Sequence, residues 1–161
     1  MSILIVNAYI NIQKLFKNLT ISLGTGILAA FCSGNVSLTY SQMKTPSFAP
    51  LGFIFPIIWT LLYTGLGISA YISEMKDAPC YTGLKNTTKL YYLQLIFSFM
   101  WPVLFFNFKM PLAALISLFI LVLLTIAVGM NFLKQSKYTL IFTLPYLIWC
   151  VFLILLNIFM L

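Results

Sequence analysis

The sequence predicts an all-α membrane protein, a five-transmembrane-helix bundle with a lid-like loop between helices 1 and 2. Three observations carry this. The 161 residues are 62% hydrophobic and only 7% charged, with mean hydropathy +1.05, whereas soluble domains are about half apolar and a quarter charged. The apolar residues fall in stretches that match the roughly 20 residues a helix needs to cross a bilayer. The polar residues collect between those stretches. Five spans use about 100 residues, so no separate soluble domain fits beside them.

The elements follow in order. The first 13 residues are apolar, but Lys14 and Lys17 come after them rather than before, the wrong order for a secretory signal; a membrane-surface segment is expected. The first span runs from about Leu15 to Ser33, its start diluted by Lys17, Asn18 and Thr20. Gly34 to Gly52 is expected to be non-helical, because Pro46 and Pro50 lack a backbone donor. Connections this long are usually lids or binding segments, and Tyr40, Phe48 and Phe53 favour a packed lid. The second span is about Phe53 to Ile72, followed by the polar loop SEMKDAPCYTGLKNTTK, which holds the only two acids, Glu74 and Asp77. The third is Leu90 to Phe108. Pro111, at a position a first helical turn tolerates, opens the fourth, which reaches Leu133. KQSK is a tight turn, and the fifth span runs from Tyr138 to the end. There is no internal repeat, which argues against an inverted-repeat transporter.

Missing residue types exclude whole chemistries. The chain has no His, and all nine basic residues are Lys. Zinc sites and Ser-His-Asp hydrolysis therefore have no foundation, nor does paired-carboxylate chemistry within the membrane. No span carries an ionisable group near its middle, which disfavours a proton-coupled pump. The net charge of +7 reads as topology signals and lipid-headgroup partners, not nucleic-acid binding, since the lysines flank apolar spans. Seven lysines (14, 17, 76, 85, 89, 134, 137) fall on one side and two (44, 109) on the other. By the positive-inside rule the N-terminus is cytoplasmic and the lid faces out. Cys32, Cys80 and Cys150 are scattered and odd in number, so a disulfide framework is not expected.

Large aromatic and polar residues mark the inward faces of a lipid-surrounded bundle. Trp59, Tyr63 and Gly67 stack at i, i+4, i+8 on the second span. Gln94, Ser98, Trp101 and Phe105 share a face of the third, and Trp149, Leu153 and Asn157 one of the fifth, with Tyr146 a turn earlier. Such a set suits a flat, mostly apolar ligand held by stacking and a few hydrogen bonds; the competing reading is a pair of interfacial aromatic belts. Leu121 on the fourth span is expected to face lipid. Gly26, Ala30 and Gly34 form a small-residue line that serves either dimer contact or packing within one bundle, the latter favoured.

The segment from Tyr40, SQMKTPSFAPLGFIFPIIWTLLYTGLGISAY, resembles the signature of the translocator protein family, also called tryptophan-rich sensory proteins or peripheral benzodiazepine receptors. That signature reads roughly WY-x2-L-x-KPSW-x-PP, then Trp, two residues and LY-x3-G. Tyr40, Met43, Pro46, Ser47, Phe48, Pro50, Trp59, Leu62, Tyr63 and Gly67 occupy those places in order. QLIFSFMWPVLFF resembles the family's third-span motif through Gln94, Trp101, Pro102, Phe105 and Phe106, and PYLIWCVFLILLN its fifth through Pro145, Tyr146, Trp149, Phe152, Leu156 and Asn157. The resemblance covers residues 19–161 and leaves 1–18 as an N-terminal extension. Thr39, Thr45 and Leu51 depart from the pattern, and Ser98 and Phe99 replace the family's Asn-Trp pair.

What the resemblance implies is a tetrapyrrole binder, often a homodimer, whose pocket is capped by the lid residues Tyr40, Pro46, Ser47, Phe48 and Pro50. Its ligand-binding residues would be Trp59, Tyr63, Ser98, Phe99, Trp101, Tyr146, Trp149 and Asn157. Porphyrin is the expected ligand, with no covalent cofactor and no metal site. Sterol binding is not expected, since the animal recognition segment beyond this chain's last residue has no counterpart. Sensing, transport or disposal of porphyrin is the leading function. Alternatives are light-dependent porphyrin degradation with Trp59 as the redox partner, a permease for small hydrophobic solutes, and a structural assembly partner. Lys-only, Asn- and Ile-rich usage points to an AT-rich genome such as a bacterium's, so a bacterial cell membrane is the expected location.

Overall fold

The computed structural model describes residues 11–43, 45–75 and 84–161. Its helices are α1 (Ile12–Cys32), α2 (Val36–Ser41), α3 (Ile54–Met75), α4 (Leu84–Pro102), α5 (Pro111–Gln135) and α6 (Leu140–Phe159), with a π-helix at Val103–Asn107 and a 3₁₀ turn at Lys137–Thr139. Among the described residues there is no strand. Five helical segments are long and apolar enough to cross a membrane: α1, α3, α4 running into the π-helix, α5, and the 3₁₀ turn with α6. They close a ring in the order α1, α3, α6, α5, α4 and back to α1. The outer surface carries Phe31, Leu61, Leu123, Ile141 and Ile148, all exposed, as a lipid-facing surface requires.

Local chemistry explains the boundaries. The Asn11 side chain accepts from the Lys14 backbone N–H at 3.0 Å and caps α1. Gly34, at φ 71°, ends it in a conformation only glycine adopts cheaply. Pro111 sits in the first turn of α5, as expected. Pro102 cannot donate to the i−4 carbonyl, and the chain widens just after it into five residues of π-helix. That widening turns both Phe105 and Phe106 inward, with ring centroids 5.0 Å apart.

Four expectations need correction. Gly34 to Gly52 is not wholly irregular: Asn35 accepts from the Leu38 N–H at 3.0 Å and starts the short helix α2. α1 and α4 begin earlier than hydropathy suggests, at Ile12 and Leu84, because lysines and threonines at a span's end can stay helical while their heads reach the interface. Glu74 lies in the last turn of α3, not in a loop. It accepts from Lys17 Nζ and from Asn18 Nδ2, each at 2.7 Å, and ties α3 to α1. Leu121 is fully buried and does not face lipid; on an all-apolar helix, period alone cannot tell the inner face from the outer. Lys44, Lys76, Asp77, Cys80 and most of the N-terminal extension lie outside the described residues, as does the side chain of Lys85.

The small-residue line acts within the bundle at Gly26. A Cβ there would come within 2.6 Å of the Tyr63 ring. Gly67 is pressed against Leu19 in the same way, at 3.1 Å. Between them the Ser22 hydroxyl donates to the Tyr63 carbonyl at 2.6 Å. Those contacts hold α1 and α3 close along the middle of their shared length.

Candidate functional site

Three of the sequence-predicted faces meet. The hydroxyls of Tyr63 (α3) and Ser98 (α4) share a hydrogen bond of 2.6 Å, and the Tyr146 hydroxyl (α6) donates to Ser98 Oγ at 2.9 Å. Serine at position 98 is short enough to sit between two phenols. The longer amide of Asn would need to displace them. Trp59 stacks on Tyr63 with centroids 5.4 Å apart and planes 29° apart, and packs 5.9 Å from Trp101 and 6.1 Å from Tyr146. Trp101, Tyr146 and Ser98 are fully buried. These buried side chains pack directly on one another.

The open space lies on the other side of Trp59. A cavity of about 450 Å³ is lined by Leu23, Gly26 and Ala30 of α1 with its C-cap Ser33, by Phe55, Trp59, Thr60 and Tyr63 of α3, and by Val36, Pro102 and Phe106. Its volume falls in the range of small-molecule sites, about 300–1,000 Å³. Ile27, Ala30, Pro56 and Thr60, at its mouth, are exposed on the bundle's flank, so the cavity opens sideways toward lipid. The walls offer little hydrogen bonding. Thr60 donates to the Pro56 carbonyl at 2.7 Å, Ser33 to that of Ala29 at 2.6 Å, and the Tyr63 hydroxyl is engaged with Ser98. No charged residue lines the cavity.

Trp59 and Tyr63 thus reach the cavity, whereas Ser98, Trp101, Tyr146, Trp149 and Asn157 stand behind that wall or farther along α6. Trp149 packs on Phe55, with centroids 5.8 Å apart, and on Phe152 at 5.2 Å. The indole nitrogens of Trp101 and Trp149 and both amide atoms of Asn157 are buried without a hydrogen-bond partner among the described residues. Phe99 is half-buried and lines no part of the cavity. The α1 wall was not singled out as a site from the sequence. Its signal was the small residues Gly26, against which the Tyr63 ring packs, and Ala30, which stands at the mouth.

The lid is packed down at two points. Tyr40 is buried edge-on against Phe55, centroids 5.1 Å apart, and its hydroxyl donates to the Pro50 carbonyl at 2.9 Å. Burial pushes the Tyr40 phenol above its ordinary pKa, so it stays a neutral donor there. Pro46 accepts from the Ala49 N–H at 2.9 Å, a turn that leaves Ser47 exposed and sets Phe48 against Phe152 and Phe159 of α6. Val36, at the start of α2, reaches the cavity itself.

The TspO/MBR family matches residues 18–161. The tryptophan-rich protein TspO of Archaeoglobus fulgidus is 32% identical over 148 residues, 91% of this chain and 94% of that protein. The translocator protein homolog of Schizosaccharomyces pombe is 31% identical over 111 residues, 68% of each chain. The translocator protein of Bos taurus is 29% identical over 136 residues, 84% of this chain and 80% of that one. With its five-span ring, its packed lid and a match that runs through all five spans, this chain belongs to the TspO/MBR family of integral membrane proteins.

Proposed function

We propose that this membrane protein binds a flat, largely apolar ligand of the tetrapyrrole class and acts in its sensing, transport or disposal. One observation carries the reading: Trp59 stands between a lateral cavity of about 450 Å³ and a buried aromatic cluster. An aromatic wall without charges favours a ring system held by stacking and dispersion. The lack of charged groups also means that a porphyrin's carboxylates would remain at the cavity mouth, outside the apolar interior. The sideways opening suits a ligand already dissolved in the bilayer.

Porphyrin titration of the purified protein in detergent, read as a shift in visible absorbance, tests this. Stacking contributes about 0.5–1.5 kcal/mol beyond burial, so Trp59→Ala is expected to weaken binding roughly 2- to 13-fold. Leu123→Ala, on the lipid-facing side of α5 at 67% exposure, should leave it unchanged. Equal affinities for all three proteins, or no absorbance shift, overturn the proposal. Repeating the titration under illumination separates binding from degradation, since only degradation destroys the absorbance.

A further inference from the structure

The aromatic cavity is as deep as one leaflet of a bilayer. α1 has 21 residues, a rise of about 32 Å, enough to cross a hydrocarbon core of about 30 Å. Leu23, at the cavity's inner end, stands just past the middle of α1, and Ser33 caps that helix. Tyr63, the deepest lining residue of α3, stands just before the middle of Ile54–Met75. The lining from Leu23 to Ser33 therefore covers about 15 Å, half of the hydrocarbon core, on the lid side. At the opposite end of the α1–α3 pair a crevice of about 390 Å³ is rimmed by Lys17 and Lys89 instead, so the apolar opening belongs to the lid-side leaflet.

The mouth borders the lipid-covered surface. Ile27, Ala30, Pro56 and Thr60 are exposed there, and Phe31 and Ile57 continue the apolar surface beside them. The hydroxyls of the wall are already engaged, Thr60 and Ser33 with backbone carbonyls and Tyr63 with Ser98. An occupant that brought polar groups into this space would lose their solvation and find few partners. One that is apolar along its whole length gains many small dispersion contacts.

We infer that this cavity takes an acyl chain of a phospholipid from the lid-side leaflet, seated lengthwise between α1 and α3 and against Trp59. The headgroup stays at the interface beside the turn from α1 to α2. No charged residue lines the cavity, so the chain is recognised and the head is not. The inference rests on the depth and chemistry of the cavity, not on the tetrapyrrole reading. Where both hold, the chain must leave before a ring system enters, and bilayer lipid regulates the site by competition.

Brominated acyl chains quench a tryptophan that they touch, and Trp59 is the one tryptophan lining the cavity. Trp101→Phe combined with Trp149→Phe leaves it as the sole indole of the three. In nanodiscs of phosphatidylcholine brominated at mid-chain its emission should fall. Ala30→Phe, from an exposed position, sets a ring in the mouth and should restore most of that emission. Leu28→Phe, at 59% exposure and outside the lining, should leave it quenched. A second measurement uses wild type and leaves the aromatic cluster untouched. After release from nanodiscs of equal phosphatidylcholine and phosphatidylglycerol, native mass spectrometry should find retained phospholipid with no preference between the two heads. Ala30→Phe should lose that lipid, and porphyrin titrated into wild type should displace it. If porphyrin binds and the lipid stays, the acyl site stands and the tetrapyrrole lies elsewhere. If porphyrin binds to a wild type that retains no lipid, the acyl site alone fails. Equal quenching in Ala30→Phe and Leu28→Phe also overturns the inference. So does a strong head preference, which would mean surface lysines, or a lipid-free dimer, which would name a second copy as the occupant.

Discussion

The two openings beside α1 and α3 are built by the same pair of helices and differ in almost every property. Toward the lid, the cavity has aromatic and aliphatic walls, and its hydroxyls are tied to backbone carbonyls or to Ser98. Toward the other end, the crevice has lysines at its rim and the buried Asn18, Ser73 and Tyr91 in its wall. From the cavity's wall, where Gly26 meets Tyr63, α1 and α3 stay close through Ser22 on the Tyr63 carbonyl and Gly67 on Leu19. Two glycines and a serine thus divide one helix pair into an apolar half and a polar half. The tight middle matters because space opens on either side of it only where side chains are small or the helices are tied at their ends.

The largest expected effect comes from breaking that middle. In Gly26→Ala the new Cβ meets the Tyr63 ring at 2.6 Å, and the ring is buried and held by Ser98. Overpacking of this kind costs about 1–3 kcal/mol, and the displaced ring should also distort the cavity. Gly24→Ala, one half-turn away, meets nothing within 4 Å and should gain about 0.5–1 kcal/mol from helix propensity. Thermal unfolding in detergent checks the pair: if both variants move the same way, the close approach at Gly26 is not what separates the two openings.

A smaller effect is expected at Ser98. Ser98→Ala strips two buried tyrosines of a shared partner, and hydrogen bonds between membrane helices contribute about 0.6 kcal/mol on average and up to about 1.7. A loss of about 1–2 kcal/mol follows, with clear non-additivity when Tyr63→Phe and Tyr146→Phe are combined with it. Additive losses in that cycle would show that the three hydroxyls do not act as one unit.

The smallest concerns the polar end. Lys17 and Glu74 have side chains 51% and 27% exposed, so solvent screens their attraction, and Glu74→Gln should cost less than about 1 kcal/mol. Asn18 retains an acceptor in the Gln side chain. The loss should fade further as salt is raised, with melting at low and high ionic strength as the measurement. A large, salt-independent loss would mean that the carboxylate holds the crevice together by something other than its charge.

What the sequence by itself determined follows from short-range physics. Five spans of bilayer length, the stop at Gly34, the start at Pro111 and the inward stripes through Trp59, Tyr63, Ser98, Trp101 and Tyr146 are all set by hydropathy, backbone chemistry and helical period. Motif order was legible as well, and it led to the right family. Only the tertiary structure decided which of those stripes meets open space. Ser98, Trp101 and Tyr146 point inward as expected yet do not line the cavity, because the two tyrosines close on the one serine and the indole packs beside them. The cavity arises instead where Gly26 and Ala30 of α1 pass Trp59 and the π-helix following Pro102 turns Phe106 inward. Leu121 shows the same limit from the other side: on a helix apolar all round, burial depends on which neighbours arrive, and that is a property of the ring rather than of the span.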